Sequence, residues 1–407
     1  MWLLRKIQLM PSKFRGLESK IWSYKMSVGW ELACTDPDQA LLCMLAPDLA
    51  QGGYVHFMNL FTGENHPTPI HVRVPCPMPA RDSLVLLHPF AGLRQTAAIC
   101  DNYLAILLSR FDSALEREVF TFVVMDWKLC ASVYYKQGSG SPSFGFLDDE
   151  HLAFVHQYQH PLIEVLEFRT AYFTNHRRLL HLELPVYNTT DHAITDGHLI
   201  NVFMICDDPK PKNSSPHKAY HTNAPFELAR NDRAILLTME VVYDRGALQD
   251  FRLITLASIL IKLYDQHTSS SDNHNSEPVY LRWTDWGRKY TRLFSGPFTN
   301  MNAWSSCFGT RYVSVEKGFT TILEFNPYAI RRSILPKSSR ASGECVMDPN
   351  TVETLGDTAV SIETALPYRR YRTHVKVLRS QSVAINESGL ALYKNTISHN
   401  GMKIYTY

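Results

Sequence analysis

The chain has 407 residues, a net charge of +2, 45% apolar residues and 20% charged ones. That balance excludes global disorder and leaves ample material for a core. It also excludes a strong electrostatic footprint for nucleic acid or another polyanion.

At the start, Met1-Trp2-Leu3-Leu4 is apolar but Arg5 and Lys6 cut the run short, so no secretory leader is expected. Residues 1–26 read as an N-terminal segment, with a strand at 21–24 able to close a ring of sheets. From residue 27 onward, alternation and β-branched or aromatic enrichment predict strand units. Unit one ends in a strand at 54–61 and the turn Thr62-Gly63-Glu64. Unit two holds 97–108 and 120–129; unit three holds 144–146, 152–158 and 162–168. Unit four is the loosest, around 181–184 and 199–206. Unit five takes 234–242 and 251–263, unit six 311–315 and 319–325, and the last unit 375–378, 383–385, 390–393 and 402–407. Polar insertions at 206–225, 265–278 and 333–358 read as surface loops. No helix is predicted.

A four-residue beat marks the ends of several strands: Phe57-Met58-Asn59-Leu60, Val124-Met125-Asp126-Trp127, Val165-Leu166-Glu167-Phe168, Ile322-Leu323-Glu324-Phe325 and Ile404-Tyr405-Thr406-Tyr407. A weaker copy is Leu253-Ile254-Thr255-Leu256. Trp127 to Phe168 is 41 residues and Phe325 to Tyr407 is 82, one period and two. A strand-built period of roughly 40 residues is the mark of a propeller blade. Residues 27–407 therefore read as an all-β, WD-repeat-like β-propeller of seven blades, with six and eight left open by the uneven spacing.

Signs of chemistry are sparse. The pairs His156/His160 and His217/His221 have metal-ligand spacing, but neither has a Glu beside its first His, and chance pairs are expected among 17 histidines. Gly138-Ser139-Gly140-Ser141-Pro142 lacks the Lys-Ser/Thr of a phosphate loop and reads as a turn. Asp148-Asp149-Glu150 is explained by a tight turn without a cation. The eight cysteines form no Cys-x-x-Cys pair and read as reduced thiols. No metal, cofactor or catalytic residue is expected. The longest apolar stretch, 253–263, is too short to span a bilayer. A cytoplasmic or nuclear monomer with no membrane contact follows.

The densest cluster of aromatic and arginine residues runs from Trp283 to Phe294. Such residues are enriched at protein–protein hot spots, though the commoner fate of paired tryptophans is to pack between sheets. Trp286, Arg288, Arg292 and Arg311 are the expected contact residues for a protein partner. Tyr368-Arg369-Arg370-Tyr371-Arg372 offers a stripe for an acidic partner or a charge-guarded edge strand.

Pro11-Ser12-Lys13-Phe14-Arg15-Gly16, Asp36-Pro37-Asp38-Gln39-Ala40-Leu41-Leu42, Thr62-Gly63-Glu64-Asn65-His66-Pro67, Trp283-Thr284-Asp285-Trp286-Gly287, Thr291-Arg292-Leu293-Phe294, Arg311-Tyr312-Val313, Phe325-Asn326-Pro327 and Leu366-Pro367-Tyr368-Arg369-Arg370 together resemble, in order, the C-terminal region of a large fungal family of F-box proteins. The resemblance implies a propeller-like substrate-recognition region of a cullin-type ubiquitin-ligase receptor. In that family a helical F-box precedes this region and docks a Skp-type adaptor; no such segment stands before Pro11, so adaptor binding would depend on an F-box further upstream. The family brings no catalytic residues. The rival readings are a propeller enzyme with a central-channel site and a non-functional paralogue.

Overall fold

The computed structural model describes residues 2–9, 20–26, 32–48, 52–77, 94–112, 115–156, 161–169, 179–185, 197–206, 232–243, 248–268, 278–296, 307–316, 318–334, 343–353, 361–377, 381–385, 389–394 and 402–406. Most of these residues are strand. Among the described residues six sheets of three or more strands follow one another along the chain, each antiparallel at its centre. The first holds Leu32–Asp36, Leu41–Asp48, Gly52–Asn59 and Arg73–Pro75; the second Arg94–Cys100, Tyr103–Asp112, Arg117–Asp126 and Ala131–Ser139. The third holds Ser143–Phe146, His151–His156, Leu162–Glu167 and Leu179–Glu183, with Val279–Leu281 added in parallel. The fourth holds Gly197–Cys206, Ala234–Tyr243, Leu248–Leu256 and Arg292–Ser295. The fifth runs Cys307–Phe308, Arg311–Glu316, Phe319–Glu324, Tyr368–Lys376 and Glu344–Val346 in spatial order; the sixth holds Gln381–Ile385, Gly389–Lys394 and Met402–Thr406.

The sheets pack face on face in sequence order. Leu41, Phe57, Leu104 and Ile106 fill the seam between the first and second. Phe122, Tyr134, Phe144 and Phe154 fill the next, the other three rings standing 4.8–5.9 Å from that of Phe122. Val155, Val165, Ile235 and Leu253 join the third to the fourth, Leu236, Leu256, Tyr312 and Leu323 the fourth to the fifth, and Val313, Val383 and Leu392 the fifth to the sixth. Strands buried on both faces explain the near-continuous apolar runs such as Leu104 to Leu108. The first strand of each sheet also lies beside the first strand of the next. Radial blades with adjoining inner strands define a β-propeller.

The four-residue beat has a physical cause. Its bulky residue is buried just beyond the third strand of a blade: Leu60, Trp127, Phe168 and Phe325 are each at most 1% exposed. The amide of that residue donates to the carbonyl of Ala40, Asn102, Glu150 or Thr310, in the turn between the first two strands. Its polar neighbour caps the outgoing turn, as where Asn59 Oδ1 accepts the Phe61 and Thr62 amides and Asp126 Oδ1 those of Lys128 and Leu129. In the fourth sheet the same lock is made one residue later, from Ala257 to the Arg233 carbonyl, which is why that copy of the beat reads weakly.

Several expectations are corrected. Unit four does not exist: Leu179–Glu183 completes the third sheet and Gly197–Cys206 opens the fourth. Among the described residues six sheets have three or more strands, and two further sheets are two-stranded pairs. Among the described residues three α-helices are present: α1 (Ala257–Thr268), α2 (Trp283–Tyr290) and α3 (Pro327–Ile334). The run at 251–263 is not one strand, because burial switches to helical spacing at Ala257, Leu260 and Tyr264. Helix α1 also takes the first residues of the insertion at 265–278, and the strands Glu344–Val346 and Asn350–Glu353 lie within 333–358. Residue 375 belongs to the fifth sheet. The N-terminal strand Lys20–Met26 pairs with Trp2–Leu9 in a sheet of its own rather than with the last blade.

Candidate functional site

Helix α2 carries the densest part of the predicted contact cluster. Asp285 accepts the Arg282 amide at 3.2 Å and closes the first turn, while Arg288 and Lys289 sit at the last turn, where the helix dipole favours cations. The helix is fastened to the third sheet by Glu183, whose carboxylate accepts the Trp283 amide at 2.9 Å. The Glu183 carbonyl takes the Trp286 indole N–H at 2.8 Å.

The four predicted contact residues separate by burial. Trp286 and Arg292 are 0% exposed and so cannot touch a partner. Arg292 instead binds the Leu366 carbonyl at 2.8 Å, the Asp348 carbonyl at 3.0 Å and Asn350 Oδ1 at 2.8 Å, with its guanidinium 5.0 Å from the Tyr368 ring centre. It ties the fourth sheet to the segment after α3. Arg311 pairs with buried Glu324 at 2.8 Å, its side chain half-buried. Arg288 is exposed and meets Glu363 at 2.7 Å. Only Arg288 and Arg311 reach the surface, and they sit on different elements, α2 and the fifth sheet.

A cluster that sequence reading missed lies between the second and third sheets. Lys136 Nζ stands 2.7 Å from Glu164 Oε1 and 3.3 Å from His156 Nε2. His156 and His181 place their Nε2 atoms 3.3 and 3.6 Å from Glu164 Oε2. Burial alone would raise the Glu164 carboxyl, but the two imidazoles and the Lys136 charge hold it far below the usual carboxylate range. Burial pushes the His156 imidazole below its ordinary 6.5. The ammonium thus neutralises the carboxylate, and the cluster acts as an ionic joint between neighbouring blades. The signal was a single polar residue in each buried face: Glu164 among Leu162, Leu166 and Phe168, and His156 after Leu152 and Phe154.

The remaining motifs have structural roles. Asp148 Oδ1 accepts the Glu150 and His151 amides at 2.8 and 2.6 Å, and Arg169 meets Asp149 at 3.3 Å and Glu150 at 3.1 Å, so the acidic turn is filled by protein. Gly138 lies in a strand where a Cβ would stand 2.8 Å from the Phe120 ring, so close packing selects glycine there. His160, His217 and His221 lie outside the described residues. Among the described residues, no group of three or more His, Cys, Asp or Glu could hold a metal ion, and no helix is long and apolar enough to cross a membrane.

Exposed cations gather on the outer rim of the fifth sheet. In Tyr368–Lys376, Tyr368 and Arg369 are buried and Arg370 meets Glu344 at 3.5 Å, whereas Arg372, His374 and Lys376 are exposed at alternate positions and so share one face. Helix α3 packs against this strand and against Glu344–Val346, and presents exposed Arg331 and Arg332 with Tyr328, which is 71% exposed. Of the predicted stripe Tyr368–Arg372 only Arg372 is exposed, and the exposed positions continue beyond it at His374 and Lys376.

No protein-family model matches the chain, and no curated protein matches it. Among solved structures, the chain is similar to the β-propeller domain of the Trilobed protease from Pyrococcus furiosus, at 10% identity and a TM-score of 0.31, over 77% of this chain and 68% of that one. It is also similar to Pyrococcus horikoshii acylaminoacyl peptidase, at 10% identity and a TM-score of 0.33, over 77% of this chain and 38% of that one.

Proposed function

We propose that the chain is a non-enzymatic protein-interaction module, the substrate-recognition region of an F-box-type receptor, and that an acidic partner docks on the outer rim of the fifth sheet. The observation that carries the docking face is the set of exposed cations at Arg331, Arg332, Arg372 and Lys376, with His374 and Tyr328 beside them. Their charge stands out on a chain of net charge only +2. Arginine beside tyrosine supplies the residue types of binding hot spots, and like-signed charge steers an oppositely charged partner. The ordered resemblance to the fungal receptors supports the ligase reading. On that reading a Skp-type adaptor joins through an F-box upstream of residue 11.

The test compares proteins captured from cells by the wild-type chain and by the variant Arg331→Glu, Arg332→Glu, Arg372→Glu, Lys376→Glu. Selective loss of partners at unchanged melting temperature supports the rim. Identical partners for both proteins would place docking elsewhere. Sequencing the native transcript upstream of Met1 tests the ligase part separately, and an in-frame F-box with adaptor co-purification is the expected result.

A further inference from the structure

We propose that Cys34 and Cys43 are a redox-active pair that a small-molecule disulfide converts to a cross-strand disulfide. The two residues face each other directly in the antiparallel pairing of Leu32–Asp36 with Leu41–Asp48. Facing residues of such a pair have Cα atoms about 4.5–5.5 Å apart, inside the roughly 4.4–6.8 Å window that a disulfide spans. Their side chains project from the same side of the sheet, and both thiols line the narrow gap against Ala97, Leu104 and Ile106 of the second sheet. Both are free thiols. Among the described residues no other two cysteines are opposed in register: Cys100 faces Tyr103, Cys206 Ile235, Cys307 Tyr312 and Cys345 Arg369.

The two thiols differ in access, which sets the order of events. Cys34 is half-buried and Cys43 is 3% exposed, so the reagent meets Cys34 first. The Cys34 thiolate attacks one sulfur of the disulfide, whose S–S bond breaks and releases one thiolate. Cys43 then gives up its proton and attacks Cys34 sulfur, expelling the second thiolate. Two protein thiols are oxidised to one disulfide, and the small disulfide is reduced to two thiols. Burial raises the Cys43 thiol well above its ordinary value, so this second step requires the loss of a tightly held proton. The new bond ties the inner strand of the first blade to its neighbour.

The test treats the folded full chain with oxidised glutathione and maps peptides by mass spectrometry. The expected product is a peptide pair joined through Cys34 and Cys43, lighter by two hydrogens and restored by dithiothreitol. Hydrogen exchange in residues 32–36 should slow in the oxidised form. Cys34→Ser, a half-buried position, should abolish the crosslink at unchanged melting temperature. A Cys34–glutathione adduct that never resolves would overturn the proposal. So would a crosslink that forms only under denaturing conditions, or one between other cysteines.

Discussion

Glu183 receives helix α2 twice, through its carboxylate at the Trp283 amide, 2.9 Å away, and through its carbonyl at the Trp286 indole, 2.8 Å away. One residue at the end of the outermost meander strand of the third blade thereby fixes both the start and the buried face of a helix about a hundred residues later in sequence. Trp283 and Trp286 meet edge to face at 5.5 Å, so the pair is held as a unit.

Trp286→Phe keeps most of the ring but orphans the Glu183 carbonyl. A buried acceptor without its partner costs about 1–3 kcal/mol. Trp286→Ala adds a cavity and should cost about 3–5 kcal/mol. Urea unfolding should show this order, and a Trp286→Phe variant as stable as the wild type would mean that the hydrogen bond contributes nothing.

Gly287→Ala should destabilise, although alanine is the better helix former by about 1 kcal/mol. A Cβ at Gly287 would lie 2.0 Å from Cε3 of Trp283, so the indole must leave its place against Trp286. Overpacking of this kind costs about 1–3 kcal/mol. Combining it with Trp283→Ala should remove the penalty, and a double-mutant cycle measures that coupling.

The blade repeat was legible because one hydrogen bond recurs: wherever a third strand ends, a buried bulky residue must reach back to the first turn. Its weak fourth copy was legible too, but the one-residue shift at Ala257 hid the change from strand to helix. The run at 251–263 stays apolar throughout, and composition cannot mark where its spacing passes from two to between three and four. The contact residues were half legible. Tryptophan and arginine in one stretch signal an important place, but Trp286 and Arg292 are important to packing, and only burial tells the two apart. The Lys136 joint was hidden because its members come from four strands of two blades, which no local pattern connects.

The Lys136 joint should make stability fall on acidification. Glu164 titrates below its ordinary 4.5 in the folded protein, so its contribution is complete above that value and is lost as pH falls below it. His156 titrates below 6.5 when folded, so the unfolded chain takes its proton first and stability also declines as pH drops past 6.5. His151 works in the opposite sense: although burial lowers its pKa, the bond to Asp148 raises it overall, and its contribution is lost as pH rises through the raised value. Glu164→Gln leaves Lys136 with no carboxylate and should cost about 3 kcal/mol at neutral pH. It should also flatten the loss below 4.5 in thermal melts across the acid range. An unchanged acid limb would assign acid sensitivity to other groups.

Arg288 and Arg292 lie four residues apart and should respond in opposite ways. The Arg288–Glu363 pair is exposed on the arginine side, and such pairs contribute about 0–1 kcal/mol, so Arg288→Ala should leave the melting temperature nearly unchanged. Arg292 is wholly buried and satisfies three acceptors: the carbonyls of Leu366 and Asp348 and the side chain of Asn350. Arg292→Met strips all three of their donor and should cost about 3 kcal/mol or more. Arg292→Lys keeps the charge but loses the planar fork, and should recover only part of that loss. Urea midpoints for the three variants check the order. A destabilised Arg288→Ala beside a native-like Arg292→Met would show that the guanidinium at 292 does not join the fourth sheet to the segment beyond α3.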